Sequence, residues 1–477
     1  MREFWRLSFG VLVTCSLALN PSTAQASSVG DREVGLAGAV IATGWEPSAI
    51  HYNPAGLARL QRGSLSLSAN AYQYETRQLA GFVRSFDDDG NAVESQYESS
   101  GFMSFPASMI YAFPLKLGSL RAGAAAGLLV PEAGELHEVD TMDEGFWATH
   151  WDQTPRRSVY VPTVGLGFGA ARWSLGLALN LRIAQTLEQS YYSDGSIEED
   201  TDSDGMNYQD MAFRSTDLTT VSLSPSVGLQ LALPKAWYLG LTAQMPGLHL
   251  YGAGKVSAVA FEGFPDVFCD PSDPDSIPGC WFFRDVETTA SAREASQGHL
   301  QVGLGRRQAG ARDAFELTAG YWLAAIEPDA LVTDVDETDE DLDYVDFGDH
   351  AIERPAAWSV AFGWERQIRP ETVIRLGLSH REDAADLVAS EDNHFAQIWS
   401  QTGLSIGWGR RRAATARQKA SSTDLALRVE HLGGQAVGVE WGAPDAGSGE
   451  ASYTYQRVEG SGFRILFILG GSLDLGD

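Results

Sequence analysis

The chain has 477 residues, with 34 Lys and Arg against 63 Asp and Glu, and a formal net charge of −29 at pH 7. This excess of negative charge argues against a nucleic-acid partner, whose phosphates would repel the chain. Apolar residues make up 44% of the sequence, yet beyond residue 26 no run of about 18 apolar residues occurs, which excludes a bundle of membrane-spanning helices.

The N-terminus has the three parts of an export signal. Arg2 and Arg6 form a charged start, an apolar core follows, and Ala24 and Ala26 are small residues at cleavage positions. We predict that residues 1–26 are a signal peptide and that the mature chain works in the cell envelope. A cysteine within the apolar core also suggests a lipoprotein signal, but the Thr before it is a poor residue at that position.

Residues 27–60 are rich in Gly and Ala and precede the first alternating pattern. Pro54 fixes its own φ and keeps Asn53 out of the helical region, so Asn53-Pro54 predicts a rigid bend. Ser48 is a candidate cap for a short helical turn before it. A compact apolar segment of this kind suits a plug inside the structure that follows, with a poorly ordered tail as the alternative.

From residue 61 onward, hydrophobicity comes in alternating pieces of about 8 to 14 residues. Examples are SLSLSANAYQY, SVYVPTVGLGFG, RWSLGLALNLRIAQ and VSLSPSVGLQLAL. Aromatic residues near the ends and small residues at alternate positions are typical of strands with one lipid face and one crowded lumen face. We predict that residues 61–477 form an all-β transmembrane antiparallel barrel of about 14 strands, with 16 as the alternative count.

The connections between these pieces alternate in length and charge. Long ones are strongly acidic, as in residues 328–354, whereas short ones are basic, as around Lys235 and Arg306. Outer-membrane barrels have short periplasmic turns and longer extracellular loops. We therefore predict a monomer in the outer membrane of a Gram-negative bacterium, in contact with outer-membrane lipid and lipopolysaccharide.

Two of these long connections contain candidate sites. Cys269 and Cys280 flank a turn-rich loop, which predicts a disulfide in an exported protein, and a zinc pair is the weaker alternative. Asp200, Asp202 and Asp204 match the first half of a calcium loop. A solvated acidic loop is the alternative for the three carboxylates.

Aromatic residues at one strand end are candidates for ligand capture. Trp281, Phe282 and Phe283 follow the second cysteine directly and could form a first apolar landing site. The alternative is that they belong to the aromatic girdle that such barrels carry at the membrane interface.

Catalysis is not predicted. The sequence GLSIG fits the nucleophile-elbow pattern, but Ser405 lies inside an alternating strand and no helix follows it. The nine His are scattered, without a metal-ligand spacing. We predict no enzyme and no cofactor, apart from the candidate calcium ion.

Residues 35–60 read GLAGAVIATGWEPSAIHYNPAGLARL. This stretch resembles the N-terminal signature of the FadL-like family of outer-membrane transporters for long-chain fatty acids and hydrocarbons. The resemblance implies a 14-stranded barrel with residues 27–60 as an N-terminal hatch inside the lumen. It also implies that Asn53, Pro54, Ala55 and Gly56 form a gate.

In that family, outer loops capture a hydrophobic molecule, which enters a lumen pocket and leaves sideways through a break in the wall. The resemblance therefore implies passive, porin-like transport of hydrophobic small molecules. The alternative function is a barrel that acts as a scaffold or secretion-associated protein and holds partner proteins with its long loops.

Overall fold

The computed structural model describes residues 29–86, 91–135, 137–143, 147–196, 208–263, 281–308, 311–333, 350–384, 397–412, 419–441 and 453–475. The predicted signal peptide, the cysteine pair Cys269 and Cys280, and the candidate calcium ligands Asp200, Asp202 and Asp204 all lie outside these ranges. Those three predictions therefore stay predictions.

The described residues form 19 strand segments that belong to one sheet. The segments are β1 (Ser64–Phe86), β2 (Ala92–Leu117), β3 (Leu120–Glu135), β4 (His137–Asp143), β5 (Trp147–Gly169), β6 (Trp173–Ser196), β7 (Tyr208–Leu233), β8 (Trp237–Gln244), β9 (Leu248–Gly263), β10 (Trp281–Ala292), β11 (His299–Arg307), β12 (Asp313–Trp322), β13 (Ala325–Thr333), β14 (His350–Arg354), β15 (Ala357–Arg369), β16 (Thr372–Asp383), β17 (Gln397–Arg412), β18 (Ser421–Trp441) and β19 (Tyr453–Asp474). Because β1 pairs antiparallel with β2 on one edge and with β19 on the other, the sheet closes into a barrel.

Several spans of the wall consist of two segments in line. For example, β3 and β4 both pair with β2 and with β5. Four further spans each consist of two segments in line: β8 and β9, β10 and β11, β12 and β13, and β14 and β15. Counted as continuous spans, the described segments give 14 crossings of the wall. The predicted all-β antiparallel barrel of about 14 strands is confirmed.

The two faces of the wall follow the predicted alternation. In β17, Leu404 and Ile406 are 59% and 55% exposed, whereas Ser405 between them is fully buried. Successive side chains of a strand point to opposite faces, so the apolar residues lie outside and the small residues inside. We call the exposed outward apolar residues the outer apolar belt; its members include Leu166, Leu177, Leu179, Leu304, Leu317, Leu378, Leu404 and Ile406.

Short turns lie at one end of the barrel and long connections at the other. Residues 118–119 join β2 to β3, and residues 370–371 join β15 to β16. Some strands are longer than the alternating pieces of about 8 to 14 residues in the sequence, since β5 has 23 residues. In the first half of β5, the inward side chains include polar ones that are still buried within the barrel, as Gln153 shows.

In the part of the chain that the structure describes, helices are few and short. They are α1 (Asp31–Gly35), α2 (Ala49–Tyr52) and two 3₁₀ helices, Pro54–Arg59 and Pro234–Ala236. Within the described ranges, no helix is long and apolar enough to cross a membrane. Three of the four helices lie in residues 29–60, which we call the N-terminal segment.

Candidate functional site in the barrel lumen

The N-terminal segment packs against the inner face of the wall. Its residues Ile41, Ile50 and Leu57 are fully buried. At many inward positions of the wall, a Cβ atom would lie within 3.0 Å of this segment; these are Gly123, Gly165, Gly167, Gly176, Gly228, Gly240, Gly303, Gly305, Gly363 and Gly377. At Gly176 the Cβ would overlap the main chain at Pro54 and Ala55. Glycine at these positions lets backbone approach backbone.

Asn53 ties the bend to the wall as well as to its own segment. Its Nδ2 donates to the carbonyl of Ile41 at 2.8 Å and to those of Leu229 and Leu241 at 3.2 and 3.3 Å. Its Oδ1 accepts from the Ala55 amide at 3.1 Å and so caps the 3₁₀ helix. The predicted bend is present, because Asn53 is extended at φ −155° and ψ 100°.

Ser48 lies at the expected start of α2 but does not cap it with its side chain. Its Oγ instead donates to Glu33 Oε1 at 2.5 Å. The sequence prediction of a side-chain cap was therefore wrong, because Ser48 itself is helical at φ −60° and ψ −14°, whereas a residue that caps with its side chain has a non-helical backbone.

Glu316 of β12 binds the turn at residues 41–43, before the bend. It accepts from the amides of Ala42 and Thr43 at 2.7 and 2.8 Å and from Thr43 Oγ1 at 2.7 Å. One wall carboxylate thus satisfies two main-chain donors that burial would otherwise leave unpaired.

A second anchor is an ionic network at α1. Arg32 contacts Glu365 at 3.1 Å, and Arg375 contacts the same carboxylate at 2.7 Å. Nearby, Arg307 of β11 contacts Glu46 at 2.9 Å. Burial opposes ionisation of Glu46, but Arg307 and Arg32 outweigh it and hold the pKa of Glu46 well below its usual range.

Glu33 has the opposite environment although it lies in the same segment. Burial, reinforced by the charge of Glu46, raises the pKa of Glu33 to about 7 against the opposing effect of Arg32. Its carboxyl group therefore titrates near neutral pH while the segment is docked.

Glu294 joins different parts of the wall across the lumen. It lies in the link of residues 293–298 between β10 and β11, with its side chain 8% exposed. Arg182 of β6 contacts it with two hydrogen bonds of 2.9 Å, Arg157 of β5 forms an ion pair with it, and Arg354 of β14 lies 3.5 Å away. We call these four residues the Glu294 cluster.

A cavity of about 230 Å³ lies between the N-terminal segment and the Glu294 cluster. Its lining includes His51, Tyr52, Asn180, His299, Trp322 and Arg381. The Arg381 guanidinium lies 4.5 Å from the centroid of the Trp322 ring. Burial lowers the pKa of His51 to about 4, so this side chain is neutral at pH 7. The cavity therefore combines aromatic faces with polar groups.

Towards the long connections, the inner faces of the wall pack on one another. The apolar cluster there includes Phe82, Tyr97, Trp151, Tyr192, Trp399 and Leu432. β1 turns at Gly81, where φ is +70°, and Val83 then pairs in parallel with Val439 of β18. Because Phe82 and Val83 are buried, this crossing lies inside the barrel, in the half towards the long connections.

The structure does not bring all predicted site residues together. Trp281, Phe282 and Phe283 begin β10 and pair with Gly263, Glu262 and Phe261 of β9, at the long-connection end. Asn53 lies far from them along the barrel axis, so the predicted landing site and the predicted gate lie at different heights in the barrel. Both stay predictions.

Ser405, the serine of the GLSIG pattern, is an inward residue of β17 whose Oγ donates to the Gly377 carbonyl at 3.5 Å. Within the described ranges, no group of three His, Cys, Asp or Glu could hold a metal ion.

Sequence reasoning missed Glu316, Glu365 and Arg375, which hold the N-terminal segment. A signal was present, because each is a charged residue at a lumen-facing position of an otherwise alternating strand. Glu294 was harder to find, since it lies in a short link between two segments of the same span.

Comparison with solved structures identifies the architecture. No sequence-family model matches the chain, and no curated protein matches it in sequence. A FadL homologue from Pseudomonas aeruginosa matches 93% of this chain with 98% of its own, at a TM-score of 0.56 and 12% identity. The chain has the FadL-like fold.

Two further structures share this fold. The toluene transporter TodX from P. putida matches 94% of this chain with 99% of its own, at a TM-score of 0.52 and 12% identity. The toluene transporter TbuX from Ralstonia pickettii matches 94% with 98% of its own, at a TM-score of 0.51 and 11% identity. The FadL-like resemblance predicted from the N-terminal motif is confirmed for the fold.

Proposed function

We propose that this chain is a passive outer-membrane transporter for hydrophobic small molecules, either long-chain fatty acids or hydrocarbons. Its structural neighbours include a FadL homologue and two toluene transporters. The closed barrel with its outer apolar belt supports a position in the outer membrane, with the short turns in the periplasm and the long connections outside.

The observation that carries this proposal is the packing of the N-terminal segment against the lumen wall beside a cavity. We propose that residues 27–60 are a hatch and that Asn53, Pro54, Ala55 and Gly56 are its gate. The hatch is held by directed polar contacts, chiefly those of Asn53 and Glu316, and by apolar packing of Ile50 and Leu57 against the wall. The directed contacts can exchange between two arrangements of the segment.

A path through the barrel would suit apolar cargo. Each CH₂ group removed from water contributes about 0.8 kcal/mol, so a long chain gains from a shielded route past the charged outer leaflet. Among the described pairings, β2 pairs with β3 up to Ser108 and Leu129, and with β4 from Ser100 and His137. The seven residues of β2 between these ladders are the place we propose for sideways exit.

One observation favours the alternative function. The outer half of the lumen is packed by the apolar cluster around Tyr97, Trp151 and Trp399. A filled outer half suits a barrel that holds partner proteins with its long connections rather than one that admits a ligand there.

The proposal is tested by identifying what the protein binds. Protein purified in a mild detergent is analysed by mass spectrometry of the molecules it releases, as wild type and as Asn53→Ala with Pro54→Ala. A defined long-chain or aromatic ligand that the double variant loses supports a hatch-gated transporter. Bulk membrane lipid alone, unchanged in the variant, contradicts the gate and favours the scaffold.

A matched control is Asn180→Ala. Asn180 is also a buried lumen residue, with Nδ2 donating to the Ser224 carbonyl at 3.1 Å and Oδ1 accepting from Thr163 at 3.0 Å. Both of these partners belong to the wall. Because Asn180 also lines the cavity, ligand loss in both variants would mean a perturbed cavity, whereas loss in the Asn53, Pro54 variant alone would mean a displaced hatch.

A further inference from the structure

A basic and aromatic patch lies on the outer face of the wall at the short-turn end. The register of β15, β16 and β17 places Arg366, Ile374 and Trp408 in one row across three strands. One step closer to the turn, Thr372 of β16 pairs with Arg410 of β17. Because side chains in register on adjacent strands share a face, these residues form one continuous surface.

This surface encloses a recess of about 570 Å³. Its lining, which we call the rim recess, is Ile368, Arg369, Pro370, Glu371, Thr372, Trp408 and Arg410. Trp408 is 39% exposed and Ile368 is 51% exposed, so both present apolar surface to the outside.

The recess carries a net positive charge. Arg369 and Arg410 line it, and Glu371 is the one carboxylate among its lining residues. Arg410 and Glu371 lie 3.8 Å apart with side chains 49% and 58% exposed. A pair this exposed is weak, so Arg410 can turn to another anion at little cost.

The outer apolar belt begins directly beside the recess. Phe362, Leu376 and Ile406 follow on the same outward face, and they are 41%, 41% and 55% exposed. A ligand with an anionic head in the recess would therefore lay apolar chains along the wall. Tryptophan is enriched at this level of membrane proteins because its ring suits the interface.

We propose that the rim recess binds the phosphate group of an anionic phospholipid, whose acyl chains lie on the outer face of β15, β16 and β17. The proposal rests on the membrane position in the proposed function, but it does not depend on what the lumen transports. The guanidinium groups of Arg369 and Arg410 provide charge-assisted donors for the phosphate oxygens, and Trp408 packs beside the glycerol region.

The test uses delipidated protein titrated with dioctanoyl phosphatidylglycerol and followed by native mass spectrometry. The Arg369→Gln, Arg410→Gln double variant is expected to bind about thirtyfold more weakly. The matched control is Arg121→Gln, Arg172→Gln, which removes two exposed arginines from the short-turn end outside the recess. The control is expected to bind as wild type does, and Arg369→Lys, Arg410→Lys is expected to retain most of the affinity.

Three results would overturn the proposal. Equal weakening in the recess and control variants would mean general attraction to the basic rim. Equal binding of zwitterionic dioctanoyl phosphatidylcholine would remove the role of charge. Displacement of the lipid by an equal concentration of inorganic phosphate would mean a free-anion site. None of these results bears on transport, so failure of the proposed function is recognised separately by the absence of a defined lumen ligand.

Discussion

Removal of the Glu294 charge tests whether the lumen is held together by a buried ionic cluster. Glu294→Gln keeps the size of the side chain but leaves Arg157, Arg182 and Arg354 without their shared counter-charge. The three arginine side chains are only 16 to 22% exposed and the glutamate is 8% exposed. Breaking a buried ion pair costs about 3 to 5 kcal/mol, and the partial exposure of the arginines favours the lower end.

We therefore expect Glu294→Gln to lower the free energy of unfolding by about 3 kcal/mol. We also expect larger conductance across a planar bilayer, because repulsion between the arginines separates the spans that Glu294 joins. Urea unfolding in detergent micelles measures the first quantity, and single-channel recording measures the second.

The control is Glu287→Gln on β10. Glu287 pairs with Lys255 at 2.6 Å, a distance as short as those in the Glu294 cluster, but the side chains are 61% and 68% exposed. Solvent screens an exposed pair of this kind, so no measurable change is expected. If the two variants behave alike, burial does not decide the strength of the cluster and the reasoning is refuted.

Three more predictions concern the N-terminal segment. Asn53→Ala removes a cap and buried hydrogen bonds, and we expect it to weaken docking of the segment by about 2 kcal/mol, measured by hydrogen exchange over residues 29–60. The raised pKa of Glu33 gives docking an added stability that is fully present below pH 4.5, the ordinary value, and is lost as pH rises through about 7. Protease access to the segment is therefore expected to increase between about pH 4.5 and pH 7 and to level off above that, and Glu33→Gln is expected to abolish that dependence. Gly176→Val places a side chain where Pro54 and Ala55 lie, so it is expected to displace the segment and raise conductance.

Each of these has a contrasting variant or result. Asn180→Ala is expected to leave exchange of the N-terminal segment unchanged, and equal exchange in both Asn variants would contradict the tether. A pH dependence that persists in Glu33→Gln would assign the titration to another group. Gly433→Ala is the counterpart of Gly176→Val, because its Cβ would meet Ser400 Oγ at 3.2 Å and leave the segment untouched. Unchanged conductance in Gly176→Val would show that the segment tolerates displacement of its bend.

Local sequence determined the class of the fold. Leu404, Ser405 and Ile406 alternate between the outer face and the lumen because successive side chains of a strand point to opposite faces. Repeated over the chain, this pattern is sufficient for a barrel of about 14 strands. Asn53-Pro54 likewise produced the bend where it was predicted, because the restriction on φ acts within two residues.

Tertiary structure alone decided which lumen groups meet. Alternation assigns Arg182 to the lumen side, but it does not say which distant residue lies opposite across the barrel. Glu294 is 112 residues further along the chain than Arg182. Ser48 donates to the carboxyl group of Glu33 and does not cap α2 with its side chain. These pairings depend on the closure of the barrel, which brings distant residues together. They also depend on the burial of charge, because a buried charged group is costly unless it is paired.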